Sequence, residues 1–262
     1  MKNRASGTTS WRPRRPGMRR VLAGLIRFLF ALLTRFRVEG RENVPMEGPL
    51  LVVANHFHFA DPLAVIHAVR RPLDFIGGLR MPFAPAAVRW IPRLWGLHRV
   101  PRGEEGFARA ALRGAEATLQ AGGIVGLFPE GGSWANVLRP PRPGAAFLAA
   151  RTGVRVLPIG IDGVDGILPS LRRFRRQRVT VRIGPVLGPF PSEGTGQPGR
   201  ARLDEIGNLL MRAVAELVPD DRRGAFSQDP ELRREAESLA AYPWARKSER
   251  AVSEQERKRR DP

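Results

Sequence analysis

The chain has 262 residues, of which 42% are hydrophobic and 26% charged, a balance that supports one packed α/β domain with ragged ends and excludes a largely disordered chain. Its 44 Lys+Arg against 25 Asp+Glu leave a formal charge of +19, and only Lys2, Lys247 and Lys258 are lysines. The surface is therefore rich in guanidinium and suited to polyanions such as nucleic acid, an anionic leaflet or phosphorylated substrates, although a compositional bias toward arginine produces the same pattern. With no cysteine, disulfides, thiolate catalysis and Cys-ligated zinc are excluded, and the imidazole bases reduce to His56, His58, His67 and His98.

In chain order, residues 1–17 are basic and broken by prolines, and read as a flexible arm. Residues 18–36 form an apolar helical pattern in which Arg20, Arg27 and Thr34 recur every seventh position on one narrow face. Its uninterrupted apolar pieces fall short of the roughly 20 residues that cross a bilayer. The pattern fits an amphipathic helix lying among lipid headgroups and also admits a helix packed on the domain; a signal peptide is the weaker reading because no small-residue cleavage site follows.

A domain over residues 37–218 comes next. Strands are expected at 48–55, 73–77, 96–100, 122–128, 154–162 and 178–184, alternating with helices at 62–70, 85–95, 104–121, 144–151 and, after a Pro/Gly-rich connection, 201–217. This order predicts an α/β fold with a mixed, largely parallel sheet covered by helices, its reactive residues in loops beyond the strand ends. Residues 219–262 carry few apolar side chains and read as a charged, mostly disordered tail with at most one frayed helix.

Two strand ends carry the chemistry. In NHFHFADP, residues 55–62, a spacing of five would put His56 and Asp61 about 140° apart on a helix, so they belong to a loop that Asp61-Pro62 turns into the next helix. One carboxylate oxygen could cap that helix while the other orients His56 as a base; a simple capping aspartate beside a strand-end histidine fits the same residues. On an extended segment His58 points elsewhere. His67 and His98 have no acidic partner near in sequence and read as structural. In GLFPEGGSW, residues 126–134, Pro129 stops a buried strand and Glu130-Gly131-Gly132 makes a tight turn with N–H groups available to an oxyanion or a phosphate. Between these, Arg99 and Arg102 close a short strand and offer guanidinium to a phosphate.

Together these segments resemble the glycerolipid acyltransferases related to bacterial acylglycerol-phosphate acyltransferase. The resemblance runs from Val38 to Gly188 and rests on four blocks in order: NHFHFAD (Asn55 to Asp61), GLHRVPR (Gly96 to Arg102), FPEG (Phe128 to Gly131) and VLPIGI (Val156 to Ile161). It implies transfer of a fatty acyl group from acyl-CoA or acyl carrier protein to the hydroxyl of a lysophospholipid, with lysophosphatidic acid foremost, by His56 as general base and Asp61 as its orienter. Asn55, Gly96, Arg102, Glu130 and Gly131 would bind substrate. It implies no cofactor and no metal, an anionic membrane surface as partner, and a peripheral or monotopic place on the cytoplasmic face of the cell membrane.

One departure is visible. Phosphatidic-acid-forming members usually follow FPEG with threonine or serine and then arginine, whereas this chain has Gly132-Ser133-Trp134. Arg139, Arg142 or the cluster Arg172 to Arg176 could supply the missing cation, and a different lipid acceptor stays open. The competing class is a non-catalytic protein that binds anionic membranes on the same fold. No helix-turn-helix, RRM-like aromatic signature or zinc pattern points to nucleic acid.

Overall fold

A computed structural model describes residues 13, 15–77, 90–95, 97–99, 105–190 and 199–241. Helix α1 (Pro16–Leu33) runs into strand β1 (Thr34–Glu39), followed by β2 (Leu50–Ala54), α2 (Asp61–Val69), β3 (Asp74–Gly77), α3 (Ile91–Trp95) and β4 (Leu97–Arg99). After these come α4 (Glu105–Gln120), β5 (Ile124–Leu127), α5 (Gly144–Thr152), β6 (Arg155–Asp162), α6 (Ile167–Leu171), β7 (Gln177–Ile183), α7 (Arg200–Ala215) and α8 (Pro230–Ser238).

The seven strands form one sheet in the order β1-β7-β6-β2-β5-β3-β4. Every neighbouring pair is parallel except β6 and β7. The expected mixed, largely parallel sheet is thus observed, and its inner strand β2 is buried along its whole length. Alternation along β2 serves two cores. Leu50, Val52 and Ala54 face a cluster with Leu22, Ile26 and Phe30 of α1 and Ala64 and Ala68 of α2. Leu51 and Val53 face Ala115 and Leu119 of α4, Leu148 of α5, and Leu210 and Met211 of α7.

The structure departs from expectation at both ends. The N-terminal helix stops at Leu33, where Thr34 Oγ1 donates to Phe30 O at 2.6 Å, and residues 34–36 belong to β1. The run TRFRVE has strand alternation that the apolar helix before it masks: Phe36 and Val38 pack on the core while Arg35 and Arg37 face out. Helix α1 buries Arg19, Leu22, Ile26 and Phe30 against the domain and leaves Met18, Val21, Leu25, Phe28, Leu29 and Leu32 exposed. Arg19 is the residue the heptad reading passed over. Its guanidinium pairs with the buried Asp74 at the start of β3, donates to Leu73 O at 3.3 Å, and lies 5.5 Å from the Trp95 ring.

At the other end, residues 219–241 are folded onto the domain rather than forming a tail. Two 3-10 turns, Asp220–Arg222 and Gly224–Phe226, precede α8, whose N-cap Asp229 accepts from Glu231 N–H at 2.8 Å. Backbone and side-chain bonds share the fastening: Leu138 N–H donates to Arg222 O and Ala225 N–H to Leu138 O, each at 2.9 Å, while Trp134 and Arg142 donate to Leu239 O and Ala240 O and Phe226 packs on the core. Gly224 permits this approach. It has a φ of 45°, and a Cβ there would lie 2.2 Å from Leu138 O. Residues 242–262 of the expected tail and most of the 1–17 arm lie outside the described residues.

Candidate active site

The candidate site lies where β2 and β5 end, at their C-terminal edge. Asn55 follows β2 and is fully buried. Its Nδ2 donates to Ile161 O at 2.9 Å and its Oδ1 accepts from Ile161 N–H at 2.7 Å, so the amide continues the ladder from β2 to β6. The substrate-binding role expected for Asn55 does not suit a sealed side chain with both ends of its amide committed. It positions the loop that follows.

His56 directs Nδ1 to Asp61 Oδ2 at 3.0 Å and stacks on Phe128, with ring centroids 4.3 Å apart. An ionised carboxylate only accepts, so this contact places the proton of the neutral ring on Nδ1 and the lone pair on Nε2. Asp61 opens α2 but does not cap it; Ala60 is the N-cap residue and makes no side-chain bond. The same Oδ2 instead accepts from Phe57 N–H and His58 N–H, both at 2.7 Å. The expected division into one capping and one orienting oxygen is therefore corrected. A buried loop must find acceptors for its own N–H groups, and the carboxylate meets that need first.

Glu130 stands three residues beyond β5 and is buried. Its Oε1 accepts from His56 N–H at 2.7 Å, joining the two loops through the His56 backbone. Its Oε2 accepts from Arg139 N–H at 3.2 Å and lies 3.3 Å from Arg139 Nε. The Arg139 guanidinium also donates to Glu130 O and to Gly132 O, and sits 3.7 Å from the centroid of the Trp134 ring. Burial pushes the Glu130 carboxyl up to about 7, against the lowering pull of Arg139 and of the His56 and Arg139 N–H groups. The surroundings make Glu130 a positioning residue under the His56 loop rather than a contact for the acceptor.

Gly131 takes up a φ of 78°, as the tight turn requires, but its N–H returns to Phe128 O at 3.1 Å. It is not the free oxyanion donor expected there. Arg139 is sealed inside the turn, which removes it as a replacement phosphate ligand. Arg142 donates to Ala240 O at 3.3 Å, and Arg176 donates to Ala31 O and to Thr34 O, the latter at 2.6 Å. Gly96 and Arg102 lie outside the described residues, as does the side chain of Arg99.

The other histidines separate clearly from His56. His58 Nδ1 accepts from Ala60 N–H at 3.4 Å, and burial holds this imidazole below its usual range. His67 lies between Phe30 and Phe36, with centroids at 5.6 and 4.2 Å. His98 Nε2 is 3.2 Å from Thr118 Oγ1 and 3.6 Å from Asp74 Oδ2, so the sheet supplies the acidic partner that its sequence neighbourhood lacks. Beside the His56 loop is an open cleft of about 580 Å³ bounded by Asp165, Gln177, Arg178 and Arg222. The Arg222 guanidinium lies 5.9 Å from the Phe57 ring. Among the described residues no cluster of His, Asp and Glu is arranged to hold a metal ion.

The structure brings together His56, Asp61 and Glu130, which the sequence singles out, and adds the contacts that hold them. Nothing in the spacing marks Arg139 as the partner of Glu130 or Phe128 as the stacking surface for His56.

Comparison with known proteins gives consistent neighbours. Residues 35–162 match the family model described as Acyltransferase. A 1-acyl-sn-glycerol-3-phosphate acyltransferase of Chlamydomonas reinhardtii is 28% identical over 193 residues, 72% of this chain and 54% of that protein. One from Borreliella burgdorferi is 29% identical over 126 residues, 47% of this chain and 49% of its own. The chain therefore spans about half the length of the curated relatives it matches. The crystal structure of the 1-acyl-sn-glycerophosphate acyltransferase PlsC from Thermotoga maritima superposes with a TM-score of 0.54 at 27% identity, covering 80% of this chain and 85% of that one.

Proposed function

We propose that the chain is an acyltransferase of the family whose model matches residues 35–162, and that it moves a fatty acyl group from acyl-CoA or acyl carrier protein to the hydroxyl of a lysophospholipid. The names of its relatives favour lysophosphatidic acid as acceptor and phosphatidic acid as product. The observation that carries this reading is the His56–Asp61 pair, at 3.0 Å, at the C-terminal edge of β2 and tied to Glu130 through the His56 backbone.

With Nδ1 on Asp61, His56 Nε2 takes the proton of the acceptor hydroxyl as the oxygen attacks the thioester carbonyl. Asp61 stabilises the imidazolium that forms. The tetrahedral intermediate collapses with expulsion of the thiolate, which recovers the proton from His56, so ester and thiol leave and the enzyme returns to its starting state. No acyl-enzyme, metal or cofactor enters. Gly96 and Arg102 are assigned to acceptor binding, with Arg102 on the phosphate. The exposed apolar face of α1 supports attachment to the cytoplasmic leaflet from which the acceptor comes; among the described residues no helix is long and apolar enough to cross a membrane.

A panel of lysolipids supplied with palmitoyl-CoA tests the proposal through thiol release and acylated product. Release by the parent and its loss in His56→Ala are expected, and equal release by both would end the catalytic assignment. A second reading, an unphosphorylated or differently headed lipid acceptor, is favoured by Trp134, which covers Arg139 and donates Nε1–H to Leu239 O at 2.8 Å where an arginine would serve a phosphate. The same panel decides between them by which acceptor supports turnover.

A further inference from the structure

The cluster Arg172-Arg173-Phe174-Arg175-Arg176 is left unused by the chemistry above. It lies between α6 and β7, and its centre is unusual on two counts. Phe174 is 101% exposed, the most exposed large apolar residue among those described, and its φ of 54° is a left-handed conformation that ring-bearing side chains seldom adopt. Arg172, Arg173, Arg175 and Arg176 surround it and are exposed too. Three of these guanidiniums have no neutralising carboxylate among the ion pairs of the described residues, while the fourth, Arg176, closes the end of α1 by donating to Ala31 O and Thr34 O.

Sheet direction gives the cluster its place. β7 runs antiparallel to β6, so β7 begins at the edge where β2, β5 and β6 end, the edge that carries His56 and Glu130. β1 is parallel to β7 with Thr34 opposite Gln177, so the C-terminus of α1 arrives at that edge as well. The outward face of α1 that ends there shows Val21, Leu25, Phe28 and Leu32 to solvent. An aromatic ring held clear of the protein, a collar of arginines and an apolar helix face meet on one side of the molecule. That combination matches the two layers of an anionic bilayer surface: phosphates for the guanidiniums and acyl chains for Phe174 and α1.

We infer that residues 172–176 form a second membrane contact, in which Phe174 enters an anionic leaflet between arginine-bound headgroups and, with α1, turns the His56 edge of the sheet toward the lipid. It deepens the membrane-facing reading above and rests on that reading only for its effect on turnover.

The test uses the full chain and flotation with phosphatidylcholine vesicles, with and without phosphatidylglycerol. Phe174→Asn removes the ring and puts in a residue that accepts a left-handed φ, so the fold is kept. It should weaken binding to the anionic vesicles about tenfold. Joint Arg172→Ala, Arg173→Ala and Arg175→Ala, sparing Arg176, should cost about fivefold per arginine and act only on the anionic vesicles. As the chain has no cysteine, a bimane on Phe174→Cys should shift to the blue on anionic vesicles while one on Gln120→Cys, at the C-terminal end of α4 on the other edge, should not.

Parent-like binding by Phe174→Asn, or an unshifted bimane at 174, overturns the inference. If the arginine variant loses turnover of a short-chain, freely soluble lysophosphatidate, the cluster binds acceptor and the membrane role is wrong. If vesicle binding is untouched but binding of a single-stranded oligonucleotide falls, the surface belongs to nucleic acid. A parent that releases no thiol, yet binds vesicles in a Phe174-dependent way, would defeat the acyltransferase reading and leave this one standing.

Discussion

Asp61→Asn separates the two tasks that one oxygen performs. In the parent, Oδ2 accepts from His56 Nδ1 at 3.0 Å and from Phe57 and His58 N–H at 2.7 Å. An asparagine oxygen in that position can still accept all three, so the loop should persist and stability should fall by only about 1–2 kcal/mol, the difference between charged and neutral acceptors. What vanishes is the negative charge beside the imidazolium. Unit charges 3.0 Å apart interact by roughly 5 kcal/mol at an effective dielectric near 20, and hydration differences offset part of that. The expected loss in kcat is therefore about 100- to 10,000-fold, or roughly 3–5 kcal/mol of barrier. Asp61→Ala should lose comparable activity and also strand two N–H groups, costing about 2–6 kcal/mol of stability. Thiol release from palmitoyl-CoA measures the first quantity and thermal or urea unfolding the second. Asp61→Asn with kcat within about threefold of the parent, or as unstable as Asp61→Ala, would refute the reasoning.

Four other outcomes follow from buried charges and close approaches. Arg139→Met leaves Glu130 as an unpaired carboxyl under His56 and should cost about 3–5 kcal/mol in urea unfolding, with kcat reduced as the His56 backbone loses its anchor. Arg19→Met should destabilise by a similar amount, whereas Arg19→Met with Asp74→Leu should recover most of the loss; a double-mutant cycle that is simply additive would count against the pair. His67, wedged half-buried between two phenylalanines and facing Arg41, Arg70 and Arg27, is lowered from 6.5 to about 4, chiefly by burial. The unfolded chain binds its proton more readily, so this stability is whole above about 6.5 and is lost as pH falls toward 4, by about 1 kcal/mol once solvent screening is allowed for; His67→Phe should flatten that slope in unfolding measured across the range. Gly224→Ala should detach residues 219–241 while sparing the sheet, read as faster amide exchange confined to that segment.

The sheet and its helices were legible because strand and helix periods alternate cleanly from residue 48 onward, and each expected strand has an observed counterpart within the described residues. β1 was not legible, since TRFRVE follows without a break on an apolar helix and shows its period of two for only six residues. The C-terminal segment was read as a tail because composition shows few apolar side chains, whereas main-chain bonds at Leu138, Arg222 and Ala225, together with Trp134 and Arg142 donating to its carbonyls, hold it. At the site, His56, Asp61 and Glu130 stood out by spacing and motif. Their arrangement did not: the dominant constraint is that the buried loop N–H groups of Phe57 and His58 and the backbone of His56 each need an acceptor, and the two carboxylates are used for that. Asn55 shows the same logic, a motif residue whose amide turns out to complete a ladder.

The antiparallel junction between β6 and β7 does the most to relate these parts. A parallel successor to β6 would need a crossover helix carrying the chain back to the opposite edge. β7 instead starts where β6 ends, after only the short α6 and the arginine cluster, so residues 172–176 stay at the edge of the sheet that carries the His56 and Glu130 loops. Because β1 follows the direction of β7, α1 has to approach from the far edge, lying along the sheet face for 18 residues, about 27 Å. Its inner stripe is consumed by the domain, and Arg19 locks its beginning to Asp74 at the edge away from His56. The apolar residues left on the outer stripe therefore have a fixed orientation relative to His56. A helix tethered at both ends, by Asp74 at one and by Arg176 at the other, cannot swing free of the domain to find lipid, so whatever surface α1 meets, the His56 edge meets in a defined pose.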